Sequence, residues 1–561
     1  MTQVTEGGIM PLADGFEPRT REDWQQLVAR VLDRGRDDGG HTAPEDAEEA
    51  LRTALDGGLT TRGLYLRTDR PLGVPGAMPF TRGRAIRDGA APWDVRQLHD
   101  EPDPRRARTA VLDDLEHGVT SVWVHVGDDG LAVADLPEVL ADVRPDLAPV
   151  AVSSFTDQPA AARALLEVLA DRDSVGGNLG LDPVGAALRT GVAPDLAPLA
   201  DLVGACGGRP GWRAITVDAR VLHDAGASEV DALAVAVATG VHYLRHLDAA
   251  GVSPADAFPH VEFRVSATAD QFLTAATLRA LRRVWARVGE ACGVPEADRG
   301  ARTHAVTSLR MASREDPFVN VLRNTVATFG ASIGGADAIT VLPHDTVAGL
   351  PGRFSRRLAR NTQILLAEES NVGRVTDPGG GSWYLESLTD DVAERVWARF
   401  QELERAGGVE AARAGGLLQQ WVDATAAERA RLIAVRARPL TGVSLYPDLA
   451  AAVAERRPRA DLPTHPGAFE PRRDAAPFEA LRDRARALGS PQVTVPATGA
   501  PADGGARRSF VTNLLAAGGI AATEEPGPVV VDDTVDDGVD AVAFLTDVLD
   551  RLGAPTTGAT R

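Results

Sequence analysis

The sequence predicts an α/β protein built on a (β/α)8 TIM barrel, and three observations carry that prediction. From about residue 105 onward, short β-rich runs alternate with amphipathic stretches that have apolar residues at helical spacing. Eight such runs fit within roughly 250 residues, the count and length of a closed barrel. The composition, 44% hydrophobic and 25% charged, is that of a globular chain. A length of 561 residues exceeds one ordinary core, so flanking units are expected. An open doubly wound sheet is the alternative that alternation alone leaves.

Taken in order, residues 1–70 read as an N-terminal helical arm. Trp24, Leu27, Val28 and Val31 give Glu22–Leu32 helical spacing, and a weaker helix is expected over Pro44–Leu55. The Gly-, Pro- and Arg-rich stretch 63–106 reads as an extended lead-in. Strands are expected at 119–126, 148–155, 176–183, 212–219, 260–267, 302–309, 336–343 and 370–377, with helices between them such as Gln271–Val288 and Phe354–Ala367. Helices near 388–405 and 409–436 close the barrel region, taken as 71–436. A proline- and arginine-rich linker, 437–508, carries one short helix near 477–488. The tail, 509–561, has a helix-like run, an acidic turn region and a last helix, which is little for an independent α/β domain.

Composition narrows the function. A net charge of -20 argues against nucleic acid or an anionic membrane as the main partner. All 59 basic residues are arginine, which excludes a Schiff-base lysine and a Walker-type phosphate lysine. Cys206 and Cys292 stand alone, so neither a disulfide framework nor a zinc site is expected. No secretory leader or apolar run of membrane-spanning length is found, and a cytoplasmic location is expected.

Barrel enzymes place their chemistry at the C-terminal ends of strands, which nominates Asp218, Arg220 and His223 after "RAITV". His223 and Asp218 are candidates for a general base and its orienting carboxylate. The competing reading makes Asp224 and Ser228 residues of a helix start and His223 a solvent-facing loop residue. His304 and His344 also lie near strand ends but belong to no spaced metal-ligand motif. The glycine clusters "GGNLG", "GASIGG" and "DPGGGSWY" lack the strand and helix context of a phosphate loop and are read as tight turns.

Several stretches together resemble the coenzyme-B12-dependent acyl-CoA mutases, methylmalonyl-CoA mutase in particular. They are "PGAMPFTRG" (75–83), "PWDVRQ" (92–97), "DAGASEVDALAVAVATGVHYLR" (224–245), "RALRRVWARV" (279–288), "RTHAVTSLRMASREDPFVNVLRNTVATFGASIGGADAI" (302–339) and "FSRRLARNTQILLAEESNVGRVTDPGGGSWYLESLT" (354–389). The resemblance implies a barrel threaded by an acyl-CoA, a linker, and a flavodoxin-like cobalamin domain over the mouth.

The departures from the family pattern are specific. Aligning "LHDAGA" on the family's Met-Gln-Glu-Ala-Gly-Ala puts Arg220 and Val221 where a Tyr-His pair stands, and His223 on the Gln. The loop "RAIRDGAA" (84–91) has no tyrosine where catalytic chains carry one. Val306 and Leu309 replace a Gln and a Gly, and Leu342 replaces an amide. The cobalt-ligating Asp-x-His-x-x-Gly motif is missing, since the last histidine is His465 in the linker. The tail is therefore expected to be a truncated, degenerate cobalamin-domain remnant.

Together these features imply the small, non-catalytic (β) subunit of a heterodimeric bacterial mutase. No catalytic, cofactor-binding or metal-binding residue is expected on it, and Arg220, Val221, Val306 and Leu342 mark a degenerate site. Adenosylcobalamin would sit on a homologous catalytic α subunit. Two alternatives remain: an autonomous barrel enzyme with an open axial channel, acting on another acyl-CoA, or a mutase barrel whose cobalamin domain is a separate chain.

Overall fold

A computed structural model describes residues 17–34, 40–69, 71–86, 92–170, 172–209, 211–496, 501–526, 529–531, 535 and 538–553. The chain divides into two compact units, Met1–Asp69 and Arg70–Arg561.

In the first unit, helix Arg21–Arg34 is joined to helix Pro44–Ala50 by the Arg21 guanidinium, whose Nε lies 2.9 Å from Glu48. The second helix stops short of Leu55 because Gly57, at φ +73°, turns the chain into a hairpin. That hairpin pairs β1 (Thr53–Leu55) with β2 (Leu59–Thr61). Leu27 and Val31, on the apolar stripe of the first helix, are 53% and 64% exposed.

The second unit holds a closed barrel of eight parallel strands. They are β3 (Asp94–His99), β4 (Ser121–His125), β5 (Val150–Ser153), β6 (Gly177–Leu181), β7 (Trp212–Asp218), β8 (Val261–Ala267), β9 (Arg302–Thr307) and β10 (Ala338–Thr340), with β10 closing on β3. The open-sheet alternative is thereby excluded.

The number of strands matches the expectation, but two of its positions need correction. The first barrel strand is β3, inside the stretch read as an extended lead-in. Its inward residues are Asp94, Arg96 and Leu98, so no apolar alternation announces it. The run 370–377 is not a strand: Asn371 and Asp377 have φ of 54° and 55°, a short 3-10 turn spans Val372–Arg374, and Val375 is exposed.

Buried arginines tie the lead-in to the barrel. On helix Gln271–Ala291, Arg282 donates to the carbonyls of Phe80, Thr81, Gly334 and Gly335, and Arg279 pairs with Asp377 and Glu386. Two segments of the resemblance, "PGAMPFTRG" and "RALRRV", are thus structural partners. The cluster "GGNLG" is likewise structural: Gly180 (φ +68°) marks a register irregularity in β6, and a Cβ there would lie 1.9 Å from the Val152 carbonyl oxygen.

The C-terminal residues form a small layer. Parallel strands β11 (Gln492–Thr494) and β12 (Ala521–Thr523) and helices Ala476–Ala487, Pro501–Ala517 and Ala541–Gly553 enclose one apolar cluster that includes Phe478, Val493, Leu514, Leu545 and Val548. Helix Ala476–Ala487 anchors this layer to the barrel side through Arg482 and Arg486, which both bind Glu315.

Candidate functional site

The C-terminal end of β7 delivers Asp218 to the barrel mouth, where Arg220 opens the short helix Arg220–Ala225. Asp218 accepts two hydrogen bonds from the Arg220 guanidinium, at 2.9 and 2.6 Å, one from the Arg220 backbone N–H at 3.1 Å, and one from Arg264 at 3.2 Å. Burial works against its charge, yet Arg220 and then Arg264 hold the carboxyl below its usual range. The structure does not bring Asp218 and His223 together as an acid–base pair.

His223 is also no solvent-facing loop residue: it is 2% exposed, and its Nε2 lies 2.8 Å from the Ser308 hydroxyl. Burial, followed by Arg310, Arg429 and Arg220, pushes its imidazole well below the normal range, so it is a neutral packing residue. Ser228 does cap helix Glu229–Ala249, accepting from the Asp231 N–H. Asp224 caps nothing; it lies within helix Arg220–Ala225, and burial raises its carboxyl to about 6.

Within the barrel, side chains alternate inward and outward along each strand. Val306 (0% exposed) and Leu342 (8%) meet Trp123 and Ala151 in one buried cluster, flanked by Leu98 and Leu309. Trp123 divides this apolar half from a charged half. Arg264 lies over its ring at 3.9 Å and Arg220 at 5.1 Å. His304 meets the same indole edge-on at 5.3 Å. Arg264 donates to His304 Nδ1 at 3.1 Å, which leaves Nε2–H to donate to the Thr340 hydroxyl at 2.8 Å. Burial, then four surrounding arginines, keeps His304 neutral. His344 stacks on Phe318 at 4.9 Å and joins no ligand group. Among the described residues no cluster of three or more His, Cys, Asp or Glu can hold a metal ion.

The N-terminal end of the barrel is closed by charge. Glu262 binds Arg96 at 2.9 Å and Arg302 at 3.2 Å, and Arg302 reaches Asp94 at 3.0 Å. On β6 to β8, Asn178 Nδ2, Thr216 Oγ1, Arg264 Nη2 and Ser266 Oγ are buried without a protein hydrogen-bond partner.

Of the four positions marked degenerate, Val306 and Leu342 share the interior cluster, Arg220 is locked to Asp218, and Val221 is buried on the short helix beside them. Loop 84–91 lies outside the described residues from position 87 onward.

The mouth also gathers three residues that sequence reasoning missed. His125 ends β4, Ser153 ends β5, and the two are register partners. Ser153 Oγ lies 3.0 Å from His125 Nδ1, and His125 Nε2 lies 2.8 Å from Asp129 Oδ1. Trp123 Nε1–H donates to Ser153 Oγ at 2.7 Å. The available signal was positional for two of them: His125 and Ser153 each end a β-rich run, yet "WVHV" and "AVSS" belong to no motif, and Asp129 lies in the loop after β4.

The family model described as methylmalonyl-CoA mutase matches residues 189–462. The chain is 47% identical to the methylmalonyl-CoA mutase small subunit of Streptomyces virginiae, over 94% of this chain and 86% of that protein. It is 43% identical to the small subunit from Propionibacterium freudenreichii subsp. shermanii, over 92% and 83%. The methylmalonyl-CoA mutase of Escherichia coli is 29% identical, over 76% of this chain and 64% of that protein.

Proposed function

The chain belongs to the methylmalonyl-CoA mutase family, and on that premise we propose that it is the small, non-catalytic (β) subunit of a heterodimer. Its partner would be a homologous α subunit that holds adenosylcobalamin and interconverts methylmalonyl-CoA and succinyl-CoA in the cytoplasm. The observation that carries the reading is the interior cluster of Trp123, Ala151, Val306 and Leu342, backed by the Arg264–Asp218–Arg220 network. An acyl-CoA threading the axis needs a channel, and a radical rearrangement needs preorganised polar groups around the carboxylated acyl chain. Here Trp123, Ala151, Val306 and Leu342 occupy the apolar half of the interior, and Arg220 and Arg264 at the mouth pair with Asp218.

The family is cobalamin-dependent, so the fit of this chain to the cofactor matters. Residues 466–561 contain no histidine. His465 is exposed, and its backbone N–H donates to the Thr190 carbonyl at 2.7 Å. The two-stranded layer offers no strand-end histidine for cobalt, so the residues do not fit a histidine-ligated cobalamin. Its role in the mutase would then be structural. The exposed stripe of Leu27 and Val31 in the N-terminal arm suits a protein partner better than water.

Expression with and without the homologous catalytic chain tests the reading. The two chains should co-purify in equal amounts, with mutase activity found only when both are present. Mutase turnover by this chain alone would overturn it.

A further inference from the structure

Ser153, His125 and Asp129 stand at the mouth in the order a nucleophile, a base and an orienting carboxylate require. His125 lies two residues beyond Trp123 on β4, and Ser153 two beyond Ala151 on β5. Both therefore face inward, one pleat above the filled layer. Asp129 accepts only, so His125 Nε2 carries the proton and Nδ1 is free to accept from Ser153. The hydrogen bonds then run in one direction, from the Trp123 indole to Ser153, to His125, to Asp129. Burial opposes the Asp129 charge, but the His125 hydrogen bond keeps its carboxyl below the usual range.

The loop after β4 is shaped for this contact. At Gly130 a Cβ would lie 2.5 Å from the His125 carbonyl oxygen and 3.0 Å from the imidazole Cδ2, so only glycine lets the chain return closely enough to place Asp129. A structural need at this point, an acceptor for the buried Trp123 N–H, is met by the Ser153 hydroxyl alone. It does not call for an imidazole and a carboxylate lined up behind that hydroxyl.

We propose that Ser153, His125 and Asp129 form a hydrolytic site for small activated acyl esters or thioesters, separate from any mutase chemistry. Ser153 Oγ attacks the acyl carbon while its proton passes to His125 Nδ1. The carbon–sulfur or carbon–oxygen bond breaks, and the leaving thiol or alcohol takes that proton, which leaves an acyl-Ser153 ester. Water then gives a proton to His125 and its oxygen to the acyl carbon, releasing a carboxylic acid as Ser153 recovers the proton. Asp129 is a positioning residue that fixes the imidazole tautomer. The acyl group must be small, because the filled layer lies one pleat beneath the serine.

The test treats the full-length chain with a fluorophosphonate probe, maps the modified residue by peptide mass spectrometry, and follows p-nitrophenyl acetate hydrolysis. The expected result is label on Ser153, not on its neighbour Ser154, and an acetyl burst that Ser153→Ala abolishes. His125→Gln should slow labelling ~100-fold or more. Asp129→Asn should also slow it, with partial recovery in Asp129→Glu and unchanged melting temperatures. Should His125→Gln fail to fold, the labelled position in the wild-type chain decides. No label at Ser153, or a labelling rate indifferent to folded His125→Gln, overturns the proposal.

Discussion

Substituting Glu262 by Gln tests the charge closure of the barrel most sharply. Glu262 is 1% exposed and shared between Arg96 and Arg302. Burial disfavours its charge, but Arg96, Arg302 and the arginines beyond them outweigh it and carry the carboxyl from 4.5 to about 2. At about 1.4 kcal/mol per pH unit, that fall is worth about 3 kcal/mol to the folded state. Removing one partner of a buried ion pair costs about 3–5 kcal/mol, so two independent arguments give the same size. Because the folded value is depressed, this stability is present above pH 4.5 and is lost as the pH falls through about 2. Glutamine is a near-isostere of the protonated acid. Urea unfolding followed by circular dichroism should therefore show Glu262→Gln about 3 kcal/mol less stable at pH 7, with the deficit shrinking towards zero near pH 2. A variant as stable as the wild type at pH 7, or a deficit independent of pH, would refute the reasoning.

Other outcomes follow from the same structure. Leu342→Ala, which opens a cavity beside Trp123 and Val306, should cost about 2–4 kcal/mol in urea unfolding. Ser228→Ala removes the N-cap of helix Glu229–Ala249 and should cost about 1 kcal/mol in the same assay. In a pull-down, deleting residues 1–69 should lose the catalytic partner.

The barrel was legible because seven of its strands are apolar runs bounded by turns, a pattern set by burial on both faces. β3 escaped because its inward face carries Asp94 and Arg96, whose partners Arg302, Ser121 and Glu262 lie far away in sequence. The run 370–377 was misread for the complementary reason: β-branched residues mark it as a strand, while two left-handed residues break it into turns. His223 showed how little position tells. Its place after a strand suggested either chemistry or solvent, and tertiary packing against Ser308 gave it neither. The charged half of the interior was invisible in the sequence. No local pattern connects Asp218 with Arg264, 46 residues apart, or Trp123 with either. The resemblance supplied what spacing lacked, pointing to Val306 and Leu342, which the fold buries side by side.

The central claim, that this family member carries no mutase centre of its own, is met most directly by the cobalamin content of the purified chain. The full-length chain, saturated with adenosylcobalamin and freed of unbound ligand, is read by its visible absorbance. The expected result is no retained corrinoid absorbance from this chain alone and bound cobalamin once the catalytic subunit is present. Stoichiometric cobalamin on the isolated chain would contradict it.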